Sequence, residues 1–267
     1  MPTRLREGTD ARGERAVRLG GTDTSTRTFT AVCYGVVCHL CFLLGVLTMM
    51  VAMFFGMSRS FGIVPQPWTA IANLALLVQF PVAHSLLLTP RGRALLARLA
   101  PPGTGVTLST TTYVTIAALQ VFALFAFWTP TGTIWWQAGG VALVIMCLLY
   151  AGSWALLGKA MADAGLALQT GALGWTALMR GRTPVYPPMP VTGLFRYTRQ
   201  PIYVAFALTV WTVPTWTPDQ LIVATTLTAY CVVGPLFKEA RFRRIHGSAF
   251  EAYTRRVPYW FPRRPRG

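Results

Sequence analysis

Six apolar stretches punctuate this chain. From Thr30 to Met57 run 28 residues without a charged side chain, and crossing the ~30 Å hydrocarbon core of a bilayer takes about 20. A secretory leader has a shorter apolar core and a small-residue cleavage site, so this stretch is expected to be a retained span. Trp68–Leu88, Leu108–Thr129, Thr133–Leu157, Pro201–Trp216 and Gln220–Phe237 follow. The fifth is short and ends near Pro214, which predicts a tight helical hairpin with the sixth. No stretch alternates as the strand of a transmembrane barrel would. The pattern predicts an all-α integral membrane protein of about six transmembrane helices, with both termini on one side.

The remaining sequence divides around these spans. Residues 1–29 are rich in Arg, Gly and Thr and predict a disordered basic tail. Residues 30–157 hold four spans. Residues 158–267 hold a long polar segment, the hairpin and a final helix. Within the long segment, residues 160–180 carry Met161, Leu166, Leu168, Leu173, Trp175 and Leu178, which predicts an interfacial helix weakened by Gly165, Gly171 and Gly174. Five prolines between positions 184 and 201 forbid a continuous helix there. Phe242, Ile245, Ala249, Tyr253 and Val257 recur at spacings of three and four among arginines, predicting an amphipathic helix that Pro258 ends.

Charge orients the spans. The 267 residues carry 24 basic and 8 acidic side chains. An excess of this size raises the question of nucleic acid, but its distribution answers differently. Counting tails and loops by side, 23 basic residues face one, Arg59. The positive-inside rule then places both termini and the second and fourth loops in the cytoplasm. Anionic lipid headgroups are the partner this charge calls for, and no nucleic acid is expected. Five cysteines in so apolar a chain form no disulfide framework.

Few side chains are candidates for chemistry. After the tail only Asp163, Asp219, Glu239 and Glu251 are acidic. Asp219 falls on the face opposite the basic loops and is expected to cap the sixth helix. Glu239 lies just past the sixth span, and its spacing alone predicts an i,i+4 pair with Arg243 on a solvated face. His39 sits beside Cys38 and Cys41, which converge poorly for a metal, so packing is its expected role and no metal site is predicted. His84 closes the second span, where an ionisable group is a candidate for lining a cavity. Gly-rich phosphate loops and nucleophile elbows are absent, and no residue is singled out as catalytic.

Two motifs carry a resemblance. TGLFRYTRQPIYVAF (192–206), a hairpin, and KEARFRRIHGSAFEAYTRRVP (238–258) resemble the C-terminal signature of the isoprenylcysteine carboxyl methyltransferase superfamily. QFPVAHSLLL (79–88) and GWTALMRGRTPVYPPMPVTGLFRY (174–197) are similar to segments of its bacterial methanethiol S-methyltransferases. The resemblance covers about residues 75–260. It implies a methyltransferase that uses S-adenosyl-L-methionine, bound at the cytoplasmic membrane face, and acts on a small or lipophilic thiol such as methanethiol. Carried over by position, Gly193, Arg196, Tyr197, Arg199, Gln200, Pro201 and Tyr203 fall in the first motif, and Glu239, Gly247, Tyr253 and Arg256 in the second. Of these, Gly193, Arg196, Tyr197, Arg199, Gln200, Tyr203 and Glu239 are the implied cofactor contacts; His84 and Arg256 are the implied substrate contacts.

The cofactor's chemistry suits such residues. Arg can hold a carboxylate at two points, Glu can accept from an ammonium or ribose hydroxyls, and a Tyr face attracts a sulfonium. The chain departs from the signature where Gln200 stands for a His, Lys238 for a Glu and Ala205 for a Gly. Methylation of an isoprenylcysteine-type carboxylate, a lipid or a secondary metabolite stays open as an alternative. So does a haem-dependent isomerase resembling the zeta-carotene isomerase group, and a non-catalytic lipid-binding protein.

Overall fold

The structure is a computed structural model that describes residues 23–263. The predicted basic tail therefore lies outside the described residues up to position 22, as do Arg264 and Arg266. Nine α-helices and two very short strands make up the described chain. In order they are α1 (Thr24–Phe54), α2 (Thr69–Leu87), α3 (Pro90–Arg98), α4 (Gly105–Phe127), β1 (Trp136–Gln137), α5 (Gly140–Asp163), α6 (Leu166–Gln169), α7 (Ala172–Met179), α8 (Pro201–Trp211), β2 (Thr215–Trp216) and α9 (Pro218–Arg256). A single 3-10 turn, Gly193–Arg196, precedes α8.

The protein is an all-α membrane protein. Five helices, α1, α2, α4, α5 and α9, are long and apolar enough to cross a bilayer. Their outward faces are greasy: Val36, Leu40, Leu43, Leu47 and Val51 of α1 are exposed, as are Val141, Val144, Ile145 and Leu148 of α5. In water such a surface would aggregate; lipid solvates it, while the helices satisfy their own backbone groups. The sixth predicted span is realised differently. α8 has 11 residues, about 16 Å at 1.5 Å per residue, too short to cross alone. Extended residues continue it, and β2 pairs antiparallel with β1 before α9 begins.

The elements start where local chemistry sets them. α1 begins at Thr24 rather than Thr30, because Arg27 joins its first turn. Thr217 caps α9 by accepting from the Gln220 amide at 2.9 Å. The cap expected of Asp219 is thus made two residues earlier. Asp219 instead sits buried in the first turn and accepts from Trp128 Nε1 at 2.9 Å and from the Thr131 amide and hydroxyl at 2.9 and 2.6 Å. It ties the end of α4 to the start of α9, across the main core of Met53, Met57, Phe125, Trp128, Val223 and Leu227.

Two predicted helices are corrected. The interfacial helix of residues 160–180 is instead the end of α5 and two short helices, α6 and α7; Gly165, at positive φ, divides α5 from α6, and Gly171, also at positive φ, divides α6 from α7. α7 inserts against α1 and α4: a Cβ on Gly174 would meet Thr111 and Thr107, and Trp175 closes on Gly35 and His39. The amphipathic helix does run to Arg256, but it is kinked at Gly247 (φ 49°, ψ −122°). Phe242 and Phe250 consequently stand 6.0 Å apart, whereas eight residues of straight helix would separate them by about 12 Å. Phe250, Tyr253 and Val257 form a small core with Met189 and Phe242.

Candidate functional site

A network of hydrogen bonds joins the entrance of α8 to the middle of α9. Pro201 starts α8 at its first position, where its missing N–H costs nothing. The two residues before it, Arg199 and Gln200, point at Glu239. Arg199 holds the carboxylate at two points, Nε to Oε1 at 2.8 Å and Nη2 to Oε2 at 3.2 Å. Gln200 Nε2 donates to the same Oε1 at 2.7 Å. Arg199 Nη1 also donates to the carbonyls of Thr254 and Val257, each at 3.1 Å. Gln200 is fully buried and Glu239 is 7% exposed. The i,i+4 partner expected for Glu239 is wrong: Arg243 pairs with Glu251 across the Gly247 kink.

The network extends to the C-terminal end. Thr198 Oγ1 donates to the carbonyls of Tyr259 and Trp260, the Arg199 amide to that of Pro258, and the Arg263 amide to that of Tyr197. Tyr253 donates its hydroxyl to the Phe195 carbonyl at 2.7 Å. Burial, with Glu239 adding to it and Arg199 opposing, pushes the Tyr259 hydroxyl up to about 12. The residues of the first motif thus strap residues 258–263 against α9. Gly193 has a structural reason of its own. Its φ is +59°, a Cβ there would strike the Asp163 carboxylate, and that carboxylate accepts from the Leu194 amide at 2.9 Å.

In front of this network lies a cleft of about 3800 Å³. Lys238 and Phe195 stand in the wall between the two. Lys238 Nζ donates to Gln200 Oε1 at 2.5 Å and lies 5.6 Å from the ring centre of Tyr203. Farther in, His84 Nε2 and the Tyr113 hydroxyl share a 2.7 Å hydrogen bond. The His84 ring is boxed by Phe80, Tyr113 and Tyr230 at 5.1, 5.1 and 6.5 Å. Its Nδ1 is buried without a hydrogen-bond partner. Arg93, Arg180, Arg182, Arg241 and Arg244 line the mouth. Among the described residues, no Asp or Glu lines the cleft.

The implied contacts separate on this geometry. Tyr203 and His84 line the cleft. Gly193, Arg199, Gln200 and Glu239 lie behind its wall, engaged with one another or with Asp163. Arg196 and Tyr197 are exposed beside the 3-10 turn, and neither lines the cleft. Arg256 is exposed at the end of α9, its Nε 3.4 Å from the Ala252 carbonyl, and does not line the cleft either. Sequence reasoning passed over Tyr113, Tyr230 and Arg241. The signal for the two tyrosines was present: a polar hydroxyl inside an apolar span needs a partner or a cavity.

Comparison with known proteins agrees with the motifs. No protein-family model matches the chain, and no solved structure matches it. It is 28% identical over 201 residues to methanethiol S-methyltransferase 2 of Bradyrhizobium diazoefficiens, covering 72% of this chain and 73% of that one. It is 28% identical over 248 residues to the methanethiol S-methyltransferase of Crocosphaera subtropica, covering 89% and 93%. With the enzyme of that name from Mycobacterium tuberculosis it shares 27% over 200 residues, 72% and 78% of the two chains. Over most of its length the chain is similar to proteins named methanethiol S-methyltransferase.

Proposed function

We propose that this protein is a methyltransferase that uses S-adenosyl-L-methionine to methylate a thiol, with methanethiol as the simplest acceptor. The observation that carries it is the cleft itself, because its lining matches the parts of that cofactor. The face of Tyr203 already carries a cation, the ammonium of Lys238, and a sulfonium makes the same kind of contact. The arginines of the mouth suit a carboxylate. The run from Val185 to Met189, with Phe242, is an apolar strip suited to a flat purine. The names of the relatives support the same chemistry.

When bound, the cofactor supplies an electrophilic methyl group on a sulfonium. The chain's residues do the rest. Tyr203 orients the sulfonium, and the Arg199–Glu239 network holds Tyr203 and Lys238 in place by fixing the start of α8 against α9. Arg241 and Lys238 favour the thiolate over the thiol. His84, the imidazole inside the cleft whose Nδ1 lacks a partner, accepts the thiol proton, with Tyr113 holding the ring. No covalent enzyme intermediate is needed, since alignment of sulfur, methyl and sulfonium supplies much of the acceleration.

The basic residues of the cleft mouth and of α9 support a reading in which this end faces the cytoplasm, with both termini inside and anionic headgroups around it. The hydrogen bond of His84 Nε2 to Tyr113 favours methyl transfer over haem ligation, because the outer ring nitrogen is already committed. The test is transfer of a labelled methyl group from S-adenosyl-L-methionine to a panel of thiols, carboxylates and amines by the purified protein in lipid. Thiol-selective labelling is expected; labelling of only the carboxylates or amines would sink the thiol assignment.

A further inference from the structure

The cleft does not end at the tyrosines. Along α4 it continues from Tyr113 past Ala117 to Val121, eight residues or about 12 Å. Val46 and Met49 of α1 form one side of this inner arm, and Trp154 and Leu157 of α5 another. Each helix agrees on the direction. In α5, which runs the opposite way, Trp154 is the deep end and Met161 lies toward the mouth; in α9 Tyr230 is deep and Lys238 shallow. The arm stops on the main core, where Met49 is buried and Val121 and Trp154 pack against it. Its walls carry no charged side chain.

Methanethiol, with two heavy atoms, fills none of this space. We propose that the inner arm holds the apolar tail of the acceptor, so that the preferred substrates are thiols bearing an alkyl or aryl chain several carbons long. This inference rests on the methyltransferase reading above. The arm is continuous with the part of the cleft that Tyr203, Tyr113 and His84 line, so a tail lying in it leaves the sulfur among those residues. There the S–H proton goes to His84 Nδ1, the thiolate sulfur forms the new S–C bond, and the sulfonium's S–CH₃ bond breaks. A thioether and S-adenosylhomocysteine result, and the atoms balance.

The experiment is a chain-length series, methanethiol to hexanethiol, with the protein in nanodiscs. Wild type is compared with Ala117→Phe, which fills the arm from α4, and with Gly158→Phe, where a Cβ meets nothing within 4 Å. Longer thiols partition into lipid equally for all three proteins, so the difference between them reads the arm. Burial of each methylene predicts a gain in kcat/KM of about fourfold per carbon in the wild type. In either variant the gain should fall below twofold per carbon, with methanethiol turnover and the thermal shift by S-adenosylhomocysteine close to wild type. A flat wild-type series overturns the inference, as does a slope the variants share, which is the result expected if lipid acyl chains occupy the arm. Loss of transfer to every thiol, methanethiol included, would instead fall on the methyltransferase reading and remove this inference with it.

Discussion

Lys238 donates to the side-chain oxygen of Gln200, and these are two of the positions at which the chain departs from the superfamily signature. The two departures touch. Where the signature has a His and a Glu, this chain has a neutral amide and a cation, and the amide passes its other end to Glu239. The buried carboxylate keeps a donor, and the buried amide keeps an acceptor's partner. The two positions are therefore coupled through one hydrogen bond.

That coupling is measurable. Gln200→His leaves Lys238 facing an imidazole, and Lys238→Glu puts a second carboxylate beside Glu239. Each alone should lower the melting temperature, while the double variant should recover a large part of the loss. The coupling energy expected from a double-mutant cycle is about 1–3 kcal/mol. Additive losses would mean that the two residues act independently.

Glu239 is predicted to be a positioning residue. Glu239→Ala leaves the Arg199 guanidinium with its charge uncompensated and 14% exposed, a defect of about 3–5 kcal/mol for a buried pair. The strap of residues 258–263 should loosen with it, seen as faster hydrogen exchange at the Arg199 and Arg263 amides. Arg199→Ala should do the same. A variant that keeps wild-type stability and exchange yet fails to bind cofactor would show instead that Glu239 touches the ligand.

Gly193→Ala is expected to destabilise by about 1–3 kcal/mol, because a left-handed backbone and a clash with Asp163 coincide there. Thermal melting of the Gly193→Ala and Asp163→Ala/Gly193→Ala proteins checks this. Removing the carboxylate should recover the steric part of the loss and leave the backbone part.

His84→Gln is expected to lower thiol turnover by about 10²-fold or more, the ordinary contribution of a positioned base, while the thermal shift by S-adenosylhomocysteine is unchanged. Tyr113→Phe, which frees the ring from its hydrogen bond, should lie between this variant and wild type. Equal turnover in all three would remove His84 from the proton path.

Most of the architecture was legible in the sequence because a bilayer leaves few options. Charge-free runs long enough to cross became α1, α2, α4, α5 and the first part of α9. The short fifth run kept its place but spent its last five residues outside the helix, since Pro214 and the β1 pairing compete with helix at that end. The helix expected at 160–180 was drawn into the bundle by what looked like weakness. Gly171 and Gly174 let α7 approach Thr111 closely, a contact that hydrophobic periodicity does not encode. The site was legible only in part. Tyr203 and His84 were singled out and line the cleft, but the partner of Glu239 lies 40 positions away, beyond any helical spacing. Arg199 and Glu239 are the residues of a charged clasp, and single-residue chemistry could not distinguish a clasp from a ligand contact.

The central claim is that the cleft grips a sulfonium through Tyr203. It is tested most directly by measuring the affinities of S-adenosyl-L-methionine and of S-adenosylhomocysteine for the wild-type protein and for Tyr203→Leu. The two ligands share every group except the methyl and the charge it puts on sulfur. Loss of a cation–π contact of roughly 0.5–2 kcal/mol should weaken the sulfonium ligand about 2- to 30-fold, with the neutral sulfide within twofold of wild type. No binding of either ligand at millimolar concentration, or equal weakening of both, would contradict the account.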